Sequence, residues 1–175
     1  LQEMNRKHSI EEYLKVIEKI KKVKPNIEFS SDFIIGYPGE TYDDFKKTIE
    51  LINNVKFINS YSFIYSARPG TPAFNLTNIN HDDAKKRLMD FQQTAEKIKT
   101  TYRNNLINKI SKVLFENKTK NKKKYFGRDE YFNSVIVESG NNLIGKIENV
   151  KILEINQNTL FGKVISNFDR KNYAA

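Results

Sequence analysis

The sequence contains no cysteine, and this absence excludes more than any other feature of its composition. No disulfide, thiolate zinc site or cysteine-held iron–sulfur cluster can be assembled from this chain by itself. Long apolar runs are missing as well. The longest, Phe33–Ile35 and Ser62–Tyr65, are strand-sized and far short of the roughly 18 uncharged apolar residues that a spanning helix needs. No basic-then-apolar leader opens the chain, so a membrane partner is not expected and the cytoplasm is the expected location. His8 and His81 are the only histidines and lie far apart in sequence. Neither a metal site nor a histidine general base is expected.

What is present suits a folded protein. With 175 residues, 38% of them hydrophobic and 29% charged, the chain is long enough for one generous domain or two small ones. A chain of this size buries roughly two thirds of its unfolded surface. Formal charge is +9, which favours a polyanionic partner. The excess is uneven. Residues 1–108 hold 17 basic against 14 acidic residues, whereas 109–175 hold 13 against 7.

The pattern of residues divides at the same place. Ser9-Ile10-Glu11-Glu12 is a capping box that starts a helix, and Ile10, Tyr13, Leu14, Ile17 and Ile20 continue it as an apolar stripe towards Lys24-Pro25. Ile27–Ile35 reads as a strand bounded by Gly36. Thr41, with Asp44 three residues on, caps a second helix, and Ser60–Tyr65 is a second strand. Two strands about thirty residues apart with a helix between them have the spacing of a parallel crossover. A long helical pattern follows from about Asp82 to Leu106. Beyond Asn108 the period becomes alternating, in Ile110–Phe115, Tyr131–Val137, Leu143–Ile155 and Thr159–Ile165. The expected fold class is thus α/β followed by all-β, the latter a small antiparallel barrel or sandwich.

Two parallel strands cannot close a barrel, for which about 250 residues are typical, and they make a poor free-standing sheet. Leu rather than Met at residue 1 is what the tail of a longer protein would show, with upstream strands completing the sheet.

Three segments carry candidate chemistry. Ser31–Thr41 runs from a strand through Gly36-Tyr37-Pro38-Gly39 into a capped helix, and at the carboxyl end of a parallel strand such a loop faces the ligand-binding side. The same residues also fit an ordinary tight turn, and no Gly-Lys-Ser/Thr follows to make a P-loop. Ser62–Ala73 delivers Ser66 and Arg68 to the end of the second strand, where Arg68 is either a bidentate anion partner or a plain surface residue. Arg6 precedes the first helix and is open to either reading. In the basic tail, Lys118, Lys120, Lys122, Lys123, Lys124 and Arg128 are interleaved with Tyr125, Phe126, Tyr131 and Phe132. Cations for phosphates beside aromatic faces for stacking are what an RNA-binding small barrel requires.

Met4–Ser9 with Tyr13, Ser30–Thr41 and Ser62–Ala73, in that order and followed by a basic β tail, resemble the radical S-adenosylmethionine methylthiotransferases. More narrowly, they resemble the branch that acts on N6-dimethylallyladenosine beside the tRNA anticodon, favoured by Asn5–His8, Ser31–Phe33 and Ser62–Tyr65. Relatives acting on threonylcarbamoyl-adenosine or on a ribosomal protein share the general loop pattern. The resemblance implies that residues 1–106 are the C-terminal part of a radical-SAM, TIM-like barrel, incomplete here. It further implies that 109–168 are a TRAM, OB-like barrel that binds tRNA, with 169–175 a tail. It places Arg6, Ile35 and Gly36 beside the S-adenosylmethionine cofactor, Ser66 and Arg68 towards the substrate, and the lysine tract with Arg128 on RNA.

The family's 4Fe-4S clusters are held by cysteines that have no counterpart in these residues. No catalytic residue or metal ligand is therefore assigned, the segment alone is expected to be inactive, and the missing N-terminal half of the enzyme is its expected partner. A non-catalytic RNA-binding module or gene remnant is the rival expectation.

Overall fold

The computed structural model describes residues 8–120 and 123–165, and the chain divides into one unit up to Lys99 and a second from Thr100. In the first unit, helix α1 (Ile10–Val23) begins at the expected capping box, with the Ser9 hydroxyl accepting from the Glu12 amide and the Glu12 carboxylate accepting from the Ser9 amide. Its buried stripe ends at Ile17. Ile20 is partly exposed.

Strand β1 (Ser30–Ile35) and strand β2 (Asn59–Ile64) pair in parallel, joined by helix α2 (Tyr42–Val55). The β1 strand starts three residues later than the apolar pattern suggested. Helix α2 opens on Thr41, whose hydroxyl accepts from the Asp44 amide at 3.1 Å while the Asp44 carboxylate accepts from the Thr41 amide at 3.0 Å and hydroxyl at 2.6 Å. Helix α3 (His81–Asn104) is capped by the Asn80 side chain, which accepts from the Asp82 amide at 2.8 Å. The core of this unit is Phe33, Ile35, Phe45, Ile52, Val55, Phe57 and Phe91, with Ile17 of α1.

Packing is one-sided. Phe33 and Ile35 point into that core, whereas Asp32 and Ile34 on β1 and their register partners Tyr61 and Phe63 on β2 are exposed. Side chains alternate between faces along a strand, so these four share the face that carries no helix. Parallel sheets ordinarily have both faces covered. Within the described residues this sheet has two strands.

The second unit is a closed five-stranded barrel, order β3-β4-β5-β7-β6, of β3 (Ile110–Lys118), β4 (Lys124–Asp129), β5 (Ser134–Glu138), β6 (Ile147–Ile155) and β7 (Leu160–Val164). Two features depart from expectation. Strand β4 occupies residues for which no strand was expected, and Tyr131–Asn133, expected as the start of a strand, form the turn after it. The closure between β5 and β7 is parallel rather than antiparallel. Val113, Phe115, Tyr125, Val135, Val137, Leu143, Val150, Ile152 and Leu160 fill the interior.

Closing so small a barrel requires sharp coiling, and two devices supply it. Register shifts fall between Phe115 and Asn117 on β3 and between Ile152 and Glu154 on β6. Opposite them lie glycines: Gly127 pairs with Phe115, and Gly162 with Ile152. A Cβ at Gly127 or Gly162 would sit far inside van der Waals distance of the Leu114 or Lys151 carbonyl oxygen. Bulge and glycine together let the strands bend past one another.

Gly127→Ala and Gly162→Ala should each lower barrel stability by about 1–3 kcal/mol through overpacking against backbone, with Gly140→Ala, where a Cβ meets nothing within 4 Å, as the near-neutral control in denaturant unfolding.

The Thr41 hydroxyl, then its amide, hold the exposed Asp44 carboxyl below the usual aspartate range. The pair therefore adds stability above the unfolded-state pKa and loses it as pH falls through the lower folded value. Thr41→Val should bring the Asp44 titration, followed by NMR, back towards the ordinary value and remove that acid dependence from α2.

Candidate functional site

Both loops that leave the carboxyl ends of the parallel strands are built on Pro-Gly turns. After β1, Tyr37-Pro38-Gly39-Glu40 closes with the Glu40 amide donating to the Tyr37 carbonyl at 2.9 Å, and Gly39 takes φ +83°. After β2, Arg68-Pro69-Gly70-Thr71 closes likewise, Thr71 donating to the Arg68 carbonyl through its amide at 3.3 Å and its hydroxyl at 2.8 Å, with Gly70 at φ +81°. Pro then a positive-φ Gly is the type II turn pattern. The loops meet at Tyr37 and Tyr65, whose rings pack edge to face at 5.2 Å between centroids. The Tyr65 amide donates to the Ile35 carbonyl at 2.8 Å, carrying the ladder one step beyond the strands.

The first loop is fixed by one carboxylate. Glu40 Oε2 accepts from the Gly36 amide at 3.0 Å, and Oε1 accepts from Arg87 Nη1 of α3 at 2.7 Å. The same guanidinium nitrogen donates to the Glu40 carbonyl at 2.9 Å. The two side chains are 12% and 15% exposed, so this pair lies largely out of water, where removal of one partner is costly. The sequence places Glu40 beside the glycines. It gives no local sign of Arg87, which arrives 47 residues later from another helix.

The predicted cofactor residues take unequal positions. Ile35 is buried, its side chain in the core on the helical face of the sheet. Gly36 has φ +75°, and a Cβ there would meet the Ile79 and Ala84 side chains at 3.1 Å. Its lack of a side chain thus answers a need of the fold, so a bulky substituent would disturb the loop before it met any ligand. Arg6 lies outside the described residues. Ser66 and Arg68 are both exposed, at the end of β2 and the first position of the second turn. The residues that sequence reasoning missed are Asp32, Ile34, Tyr61 and Phe63 on the uncovered face. Strand alternation, counted back from the buried Phe33 and Ile35, would have picked them out.

On the barrel, Lys118, Lys120, Lys123 and Lys124 gather on the β3–β4 hairpin, closed by the Thr119 amide donating to the Lys124 carbonyl at 2.9 Å. Lys122 lies outside the described residues. Arg128 sits further along β4, with Nε 3.3 Å from Glu116 Oε1 and its guanidinium 5.6 Å from the centre of the Phe126 ring. The aromatics do not act as one set. Tyr125 is in the barrel core, with Lys118 Nζ 5.3 Å from its ring centre. Phe126 is half-buried, and Tyr131 and Phe132 lie on the turn at the other end of β4. Among the described residues no group of three or more His, Cys, Asp or Glu is placed to hold a metal ion, and no helix is long and apolar enough to cross a membrane.

Glu40→Gln should loosen the first loop and lower the stability of this unit by about 2 kcal/mol, with Glu40→Gln and Arg87→Gln non-additive in a double-mutant cycle by thermal unfolding.

Two known families match parts of the chain. A sequence model of the Radical SAM superfamily matches residues 1–52, and one of the TRAM domain matches residues 106–165. A tRNA-2-methylthio-N(6)-dimethylallyladenosine synthase of Pelagibacter ubique is 54% identical over 168 residues, covering 96% of this chain and 38% of the relative. Proteins of the same name from Wolbachia pipientis subsp. Culex pipiens and Buchnera aphidicola subsp. Baizongia pistaciae are 43% and 45% identical, over 93% of this chain and 38% and 37% of theirs. The chain spans less than two fifths of the length of these relatives. Along nearly all of its own length, this chain is similar to the C-terminal portion of the tRNA-2-methylthio-N(6)-dimethylallyladenosine synthases, a radical SAM segment followed by a TRAM domain.

Proposed function

We propose that this chain acts as the C-terminal segment of a tRNA methylthiotransferase, its first unit forming one wall of a radical-SAM barrel and its second gripping the tRNA. The substrate nucleoside is N6-dimethylallyladenosine, the one for which the relatives are named. The observation that carries the reading is the parallel pair β1–β2, with helices on one face and Asp32, Ile34, Tyr61 and Phe63 uncovered on the other. A sheet apolar on both faces is the form a barrel strand takes when neighbouring strands close round it.

In the whole protein, S-adenosylmethionine and a 4Fe-4S cluster would supply the radical chemistry. The residues present do not fit the cluster: the chain has no cysteine and no three-ligand cluster among its described residues. Thiolates for it would have to come from outside these residues, and no step runs through a metal held here. What these residues contribute is position. Gly36, fixed by Glu40, and the adjoining backbone of Ile35 stand at the cofactor-facing end of β1. Ser66 and Arg68 stand at the corresponding end of β2, and in the sequence Arg6 is a further cation preceding the α1 segment. An exposed guanidinium at such a loop is suited to a carboxylate or phosphate group.

The barrel supplies the RNA grip. Lys118, Lys120, Lys123 and Lys124 carry charge to one hairpin, with Arg128 along β4 and Lys122 a further cation in the sequence between Lys120 and Lys123, and such a cluster binds the phosphate backbone with little sequence preference.

The 175-residue chain should bind tRNA with an affinity that falls as salt rises. Replacing Lys120, Lys123 and Lys124 together by Ala should lower affinity at low salt and reduce the slope of log K against log salt by about 2. Fluorescence anisotropy across a salt series reads both, and an unchanged affinity and slope would remove the hairpin from the interface.

A further inference from the structure

The turn between β4 and β5 combines rigidity with an unfavourable residue choice. Its five residues, Asp129–Asn133, are tied by a single carboxylate: Asp129 Oδ1 accepts from the Tyr131 and Asn133 amides at 2.9 Å, and Oδ2 accepts from the Asn133 side-chain amide at 2.8 Å. The Phe132 amide donates to the Asp129 carbonyl at 3.0 Å, and the Asp129 amide to the Asn133 carbonyl at 3.2 Å. Asn133 Nδ2 also reaches the Tyr102 hydroxyl at 3.3 Å. Asp129 and Asn133 are both buried.

Asp129 and Asn133 pair across the turn and leave a three-residue loop, Glu130–Phe132, in which the third residue is left-handed, a position that glycine or asparagine fills without strain. Here it is Phe132, at φ +61°. The ring gains nothing from the fold in return. It is 75% exposed, the most exposed aromatic side chain among the described residues.

We infer that Phe132 is a stacking platform for an unpaired nucleobase of the RNA gripped by this barrel. The inference rests on the proposed tRNA binding and adds the ring as a base contact distinct from the lysine hairpin. Strained backbone held in place by its surroundings points to a role outside folding. A single protruding ring is enough to stack on a base, whose π face requires no specific hydrogen-bond pattern. A protein partner would need about 800 Å² of complementary surface around it. Instead the ring is flanked by exposed Glu130 and half-buried Tyr131, on a unit of positive net charge. Strand β4 separates it from the lysine hairpin by roughly 17 Å at the usual strand rise, with Phe126 and Arg128 on the outer face between them. The lysines hold backbone at one end of the strand, and Phe132 meets a base at the other.

Two variants of the full chain test this. Phe132→Asn removes the ring and suits the left-handed backbone, so it should melt no lower than wild type. It should also bind tRNA about tenfold more weakly and bind a fully paired RNA duplex unchanged. Phe132→Trp keeps a stacking face and, because the chain has no other tryptophan, gives a single fluorophore whose emission tRNA should quench and duplex should not. Wild-type tRNA affinity in Phe132→Asn, an equal loss for tRNA and duplex, or a tryptophan emission unmoved by saturating tRNA would each overturn the assignment. If the lysine triple variant loses tRNA affinity while Phe132→Asn does not, the cationic grip stands and the stacking role falls. If neither variant changes tRNA affinity, both fall.

Discussion

The first unit is governed by an imbalance: a parallel pair of strands with apolar side chains on both faces and helices on only one. Phe33 and Ile35 are satisfied by packing among Phe57, Phe91 and the residues of α2. Ile34 and Phe63, on the other face, remain exposed. Apolar area left in water forfeits about 25 cal/mol per Å² that burial would return, so the uncovered face is the obvious place for further strands to dock. Everything proposed for the loops depends on this orientation, because it decides which end of the sheet can meet a ligand and which side chains look inward.

The loops are held by devices internal to this unit and need no cover on the open face of the sheet. Two Pro-Gly turns, a Tyr–Tyr contact and the Glu40 carboxylate between Gly36 and Arg87 set their shape from within the unit. A binding edge whose backbone is already fixed loses less entropy when it meets its ligand. In the barrel the same economy is achieved by backbone proximity, with Gly127 and Gly162 opposite the two bulges.

Much of this was legible in the residues. Both capping boxes, the order of the first five helices and strands, and the change of period after Asn108 follow from spacing alone, because helix starts and strand alternation are local. Strand β4 was hidden for an equally local reason. Lys124-Tyr125-Phe126-Gly127-Arg128-Asp129 mixes charges with an internal glycine, and only the paired strand explains why glycine must be there. The Arg87–Glu40 pair and the burial of Tyr125 are long-range facts with no sequence signature. Among the candidate residues, the motif located the loops at the carboxyl ends of the two strands, while the faces of the side chains, Ile35 inward to the helices and Ile34 away from them, needed the pairing partner to be resolved.

Arg103 shows where the second unit physically begins. This buried guanidinium donates to the Gln157 and Asn158 carbonyls of the β6–β7 turn, and Tyr102 beside it takes the amide of Asn133. The final turn of α3 is therefore a plug for one end of the barrel, although the TRAM sequence match starts at residue 106. A barrel excised at that boundary would lose its plug and leave those carbonyls without that donor, so a piece that keeps the barrel whole has to be cut inside a helix.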